Sequence, residues 1–277
     1  MLQTKAMLAN LNITQWSARK FDRSVSSEID QNHNAQDGGR YNKLLIDKEH
    51  LSPIQQFSGK LRRYHNEKTL PWGDNGDRLL PAKFYMEYTN ELRQYKSEFE
   101  SLVNNFCSAY PQLVQDRRVK LGTLYDPADY PPIEEIRSSF TLKTTFMPIP
   151  DTADFRVDVG NDALEQLRSG ILNEIEERQK GAIEECWQRL RDCLTRIETT
   201  LRKEKPRIFE SMMGDAQALT GIIPKLNLTD DPELNRVCEY MSENITRITT
   251  TALKHSPSLR EEVADRAQRV LSWIPQL

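Results

Sequence analysis

Apolar residues recur at steps of three and four through Leu164, Leu167, Ile171, Ile175, Ala182, Cys186, Leu190, Cys193, Ile197 and Leu201. Those steps place them along one stripe of an α-helix. Arg178 holds the single stripe position that is not apolar, and the other faces carry Glu174, Glu176, Glu177, Lys180, Glu184, Glu185, Arg189 and Arg191. The spacing predicts one helix from Asn161 to about Lys205, roughly 60 Å long. A rod of that length needs a second helix along most of its course, from the same chain or from another copy.

A second stripe of Tyr85, Tyr88, Leu92, Tyr95, Phe99, Leu102 and Phe106 follows Pro81 and predicts another long helix, limited by Pro111. Shorter helices are predicted from Thr14 (Trp16, Phe21, Val25, Ile29), over Tyr41–Ile46, and from Ser52-Pro53 (Ile54, Phe57, Leu61, Tyr64). A polar run from Asn32 to Gly39 separates the first two. Residues 66–81 are irregular, and Asn75-Gly76 marks a turn that the flanking apolar residues can close as a short hairpin.

Ile133–Phe140 reads as a short helix. Leu142–Ile149 and Asp154–Val159 read as strands, with Ala6–Ile13 as a possible third. Pro206 breaks the chain, and three amphipathic segments follow, led by Ile208, by Asp231-Pro232 and by Ser256-Pro257. The expected fold is mainly α: long antiparallel, coiled-coil-like helices clasping each other, with satellite helices and a small β-hairpin or three-stranded element. The expected regions are 1–130, helical with an irregular loop at 66–81; 131–160, a short helix and hairpin; and 161–277, the long helix and C-terminal helices.

Composition changes this picture in two ways. Mean hydropathy of −0.68 and 29% charged residues fit elongated helices with much exposed surface. A net charge of −3 argues against wholesale wrapping of duplex nucleic acid but leaves room for a local basic groove. Cys107, Cys186, Cys193 and Cys238 form no C-x-x-C pair and read as buried thiols. No run of apolar residues is long enough to span a membrane, and the first residues lack a secretory signal.

The chemistry-bearing candidate is a cluster of cations and rings: Lys60, Arg62, Arg63, Tyr64, His65, Lys68, Trp72, Arg78 and Lys83. Charges for phosphates and flat faces for bases are what a single strand of nucleic acid requires. The alternative is a solvated helix face with Trp72 buried as an anchor. A smaller basic set, Arg19, Lys20, Arg23, Arg40 and Lys43, is a candidate to join it. Gly73-Asp74-Asn75-Gly76-Asp77 lacks the alternating ligands and terminal glutamate of a calcium loop and reads as a turn. No phosphate loop, nucleophile elbow or H-x-x-x-H pair occurs, so neither enzyme activity, a metal nor a cofactor is expected. On the long helix, Leu164, Leu167, Ile171, Ile175, Trp187 and Leu190 are the candidate oligomer or partner interface.

Ser17-Ala18-Arg19-Lys20, Gly39-Arg40-Tyr41-Asn42-Lys43, Thr69-Leu70-Pro71-Trp72, Arg78-Leu79-Leu80-Pro81, Phe155-Arg156-Val157 and Cys186-Trp187-Gln188-Arg189-Leu190 resemble an uncharacterised bacteriophage and mobile-element family. The resemblance covers most of the chain and carries no established chemical role. It implies a phage protein in the cytoplasm of a bacterial host, in some genomes beside MoxR-type ATPases. The expected function is a non-enzymatic helical interaction or assembly protein that self-associates or adapts to a larger complex, such as a MoxR-type ATPase or a host protein. The alternatives are a single-stranded nucleic-acid binder and an inhibitor of a host defence system.

Overall fold

The computed structural model describes residues 2–73, 75–151 and 161–276. In chain order the elements are α1 (Leu2–Lys5), β1 (Ala6–Thr14), β2 (Arg19–Phe21), α2 (Arg23–His33), β3 (Asn42–Leu44), α3 (Lys48–Lys68), β4 (Leu70–Pro71), β5 (Asp77–Pro81) and α4 (Tyr85–Leu121). They continue with α5 (Ile133–Ser138), β6 (Thr141–Met147), α6 (Asn161–Leu201), α7 (Glu210–Leu226), α8 (Pro232–Asn244), α9 (Thr250–His255) and α10 (Pro257–Leu271). The fold is mainly helical with a small antiparallel sheet. The chain divides into two compact units, one of Met1–Asn10, His65–Tyr88 and Thr145–Leu277, the other of Leu11–Tyr64 and Thr89–Thr144.

In the first unit, β5 pairs with β1 from Ala6 opposite Pro81 to Asn10 opposite Asp77. On its other side β5 takes β4, with Leu70 opposite Leu79. Gly76, at φ +85°, makes the turn that Asn75-Gly76 predicts. The sheet order is β4-β5-β1-β6. Ala6–Ile13 therefore does supply a strand, and the strand read at Leu142–Ile149 is β6, which runs from Thr141 to Met147. The second predicted strand, Asp154–Val159, lies outside the described residues.

The long stripe is one unbroken helix, α6. Ala182, Cys186, Leu190, Leu194 and Ile197 are buried in it, as are Val263, Ala264, Ala267 and Val270 of α10. The principal neighbour of α6 is α10, with α7 and β4 also against it. A short C-terminal helix thus takes the place that the periodicity assigns to the other long helix. The reason is that a 3.6-residue stripe specifies an apolar face but not which face meets it. Asp231 and Ser256 cap α8 and α10, accepting from Glu233 N at 2.9 Å and Leu259 N at 3.2 Å, as their Pro-led starts predict. α8 ends at Asn244, and after a short turn a separate helix, α9, begins at Thr250.

In the second unit, Trp16 packs against Phe106 and Tyr110 with ring centres 6.2 and 5.8 Å apart. Two expected helices are corrected here. Residues 14–21 are not helical: Thr14 ends β1, residues 15–18 have no regular structure, with Ala18 at φ +50°, and Arg19–Phe21 form β2. The helix starts only at Arg23, where Asp22 Oδ1 accepts from Val25 N at 3.1 Å. Tyr41–Ile46 contains strand β3 instead of a helix, because Lys43 sits opposite Lys20 in a ladder with β2. α3 begins at Lys48, so Pro53 falls inside it and not at its first position. α4 likewise runs through Pro111 to Leu121.

Candidate interaction surfaces

α3 and the β4–β5 hairpin carry the predicted basic and aromatic cluster, and the two compact units divide it. Lys60, Arg62, Arg63 and Tyr64 belong to the second unit; His65, Lys68, Trp72, Arg78 and Lys83 belong to the first. Lys60, Arg62 and Arg63 are exposed. Lys60 Nζ lies 5.3 Å from the Tyr95 ring centre, and the Tyr64 ring is 5.3 Å from the same tyrosine. Arg62 donates to the Ile13 carbonyl at 3.2 Å.

The members in the first unit are mostly engaged in holding the fold. Trp72 is only 6% exposed and lies under the guanidinium of Arg178, 5.3 Å from ring centre to carbon. Its face is therefore occupied by the chain itself. Arg78 donates to Thr69 Oγ1 at 2.7 Å, and burial together with the Arg189 charge lowers its pKa. Lys68 Nζ pairs with Glu87 at 2.5 Å and lies 4.8 Å from the Phe84 ring. Lys83 is exposed.

His65 is buried, with Nδ1 2.6 Å from Tyr88 Oη. Burial, with the charge of Arg78 added, lowers its pKa to about 4, so the ring is neutral near pH 7. Arg189 closes this region. It pairs with Glu185 at 2.9 Å and donates to the carbonyls of Asn66 and Thr69 at 2.9 Å and of Glu67 at 3.2 Å. Asn66 and Glu67 are in the last turn of α3, whose carbonyls lack helical partners, so Arg189 satisfies a helix end.

The smaller basic set is also partly structural. Lys43 is buried and pairs with Asp129 at 2.6 Å and Asp22 at 3.2 Å, while Lys20 reaches Asp129 at 3.1 Å. Arg40 lies over the Phe21 ring at 5.8 Å. In the Gly73–Asp77 turn, Asp77 is buried and accepts from Asn10 Nδ2 at 3.0 Å and Asn75 Nδ2 at 2.9 Å. Among the described residues, Asp47, Glu49 and His50 bring ligand-type atoms together. Arg117 and Lys120 already pair with Asp47 at 2.8 and 2.6 Å and hold its carboxyl below the usual range, which disfavours a cation there.

The predicted partner face of α6 separates into two halves. Ile175, Trp187 and Leu190 are buried within the chain. Leu164 and Ile171 are half-buried, whereas Leu167 is 40% and Leu172 50% exposed. Sequence reasoning passed over a different feature, the residues around Pro206. Arg196, Thr200, Lys203, Lys205, Arg207, Phe209, Ser211 and Met212 line an open concavity of about 510 Å³ in the first unit. The available signal was a set of cations on both sides of a helix-breaking proline, followed by an aromatic residue.

No helix among the described residues is long and apolar enough to cross a membrane. No curated protein and no solved structure is similar to the chain. Residues 4–208 match a family model described as a protein of unknown function, DUF3150. That match spans most of the chain, from α1 to just beyond the end of α6, and the protein therefore belongs to the DUF3150 family.

Proposed function

We propose that this protein is a non-enzymatic helical assembly protein that self-associates through the N-terminal half of α6. The observation that carries this reading is the exposure of Leu167 and Leu172 on a helix whose C-terminal half is core. Leu164, Leu167 and Ile171 continue the stripe that is buried further along where α10 packs, and Leu172 extends the apolar surface about 100° round the helix from Ile171. An apolar ridge on water-exposed helix is what a partner helix buries. Glu165, Arg168, Glu174 and Lys180 border it with both signs of charge, a pattern that does not repel a second copy as a single-sign border would.

The test is a photo-crosslinking amino acid at position 167 of the full chain. Irradiation is expected to give covalent pairs of chains joined through α6 and identified by mass spectrometry. Crosslinks solely within one chain contradict the reading.

A further inference from the structure

The concavity around Pro206 has the chemistry of a ligand site, and it is separate from the exposed half of α6. Lys203, Lys205 and Arg207 are exposed and line it, with no ion pair to a carboxylate among the described residues. Arg196, at the rim, pairs with Asp215 at 3.1 Å. The other carboxylates beside it in sequence are Glu198, which pairs with Arg202 at 2.5 Å, Glu204, which with Glu261 lines a neighbouring depression that Lys203 also borders, and Glu210 at the start of α7. In a chain of net charge −3, three uncommitted cations around one hollow make a local positive field.

Two further features narrow the ligand. Phe209 lines the same hollow and is 65% exposed, so its ring offers a flat apolar face beside the cations. Phe209 is also the residue that caps α7, without a side-chain cap hydrogen bond, and Ser211 is among the lining residues. Cations and a hydroxyl suit phosphate oxygens, and an exposed ring suits the face of a base. A hollow of about 510 Å³ is within the range of small-ligand sites.

We infer that this concavity binds a nucleotide unit, free or within a single strand, with the phosphate on Lys203, Lys205 and Arg207 and the base against Phe209. The Lys60–Lys83 cluster, in contrast, holds its tryptophan under Arg178 and presents no equivalent free ring in the first unit.

The test is fluorescence anisotropy of fluorescein-labelled oligothymidylate with the full chain across a salt series. The wild type, Lys205→Ala/Arg207→Ala, Phe209→Ala, Phe209→Trp and Lys60→Ala/Arg63→Ala are compared, with thermal unfolding to confirm that each folds. The charge variant is expected to weaken binding and to lower the slope of log affinity against log salt by about 1.4. Phe209→Ala is expected to lose roughly 5- to 150-fold, with Phe209→Trp retaining affinity. The Lys60/Arg63 pair is expected to matter little. Displacement of the label by thymidine monophosphate assigns a free nucleotide, and displacement by unlabelled strand alone assigns a strand; either supports the inference. Absence of binding at low salt, indifference to the Phe209 and Lys205/Arg207 changes, or displacement by inorganic phosphate as effective as by the nucleotide would overturn it.

Discussion

The guanidinium carbon of Arg178 lies 5.3 Å from the centre of the Trp72 ring, and this contact explains the one charged position in the apolar stripe of α6. Arg178 also pairs with Glu174 at 2.5 Å, so its charge is held over the ring and not buried unpaired. A Cβ at Gly73 would stand 2.9 Å from Arg178 Nη1, so a side chain there would push the guanidinium aside from its place over the ring.

Replacing Arg178 by Ala is expected to cost about 1–2 kcal/mol in urea unfolding and to make one of the four tryptophans more accessible to acrylamide quenching. Gly73→Ala is expected to reproduce part of that effect in the wild type and to add little in the Arg178→Ala background, because both changes act on one contact. Full additivity of the two losses would show that the contact does not carry them.

His65 gives the stability a pH dependence of known sign. The imidazole titrates near its usual 6.5 in the unfolded chain and near 4 in the folded one, so as pH falls the unfolded chain takes up the proton first. The contribution of neutral, buried His65 is complete above pH 6.5, declines as pH falls, and has been lost by about pH 4. The span is at most roughly 3 kcal/mol. Urea midpoints measured across this window should fall less steeply for His65→Gln than for the wild type. Equal slopes would remove His65 as the cause.

All four cysteines are buried. Burial pushes the thiols of Cys186 and Cys238 up to about 12 and that of Cys193 to about 11, and raises Cys107 as well. The native chain at neutral pH is therefore expected to react with maleimide no faster than it unfolds, and all four sites should label in denaturant. Rapid labelling of any one in the native state would place that thiol at the surface.

Where function and packing reside was less legible from sequence than the helices themselves. The stripe of α6, the Asn75-Gly76 turn and the capped starts of α8 and α10 all follow from local spacing and cap chemistry. Residues 14–21 and 41–46 do not, because the extended backbone of Arg19–Phe21 is set by its pairing with Asn42–Leu44, a contact that period counting cannot see. The same limit applies to the basic cluster. Composition places Trp72, Arg78 and Lys68 together, but only the packing shows Trp72 beneath Arg178, Arg78 bound to Thr69 and Lys68 held by Glu87. Conversely, Lys203, Lys205 and Arg207 stand close together in sequence around Pro206, but that they line one concavity with Arg196 and Thr200 of α6 and Ser211 and Met212 of α7 is shown only by the packing of α7 against α6.

The central claim is that α6 serves two purposes, core from Ile175 onward and contact with a second copy before it. Light scattering of the full chain over a concentration series, with wild type beside Leu167→Glu/Leu172→Glu, tests it most directly. The account predicts a wild-type mass that is a multiple of 32.2 kDa and a doubly substituted chain that falls to the single-chain mass with its melting temperature unchanged. A wild type that stays at 32.2 kDa at every concentration, or a substituted chain that keeps the wild-type mass, would contradict it.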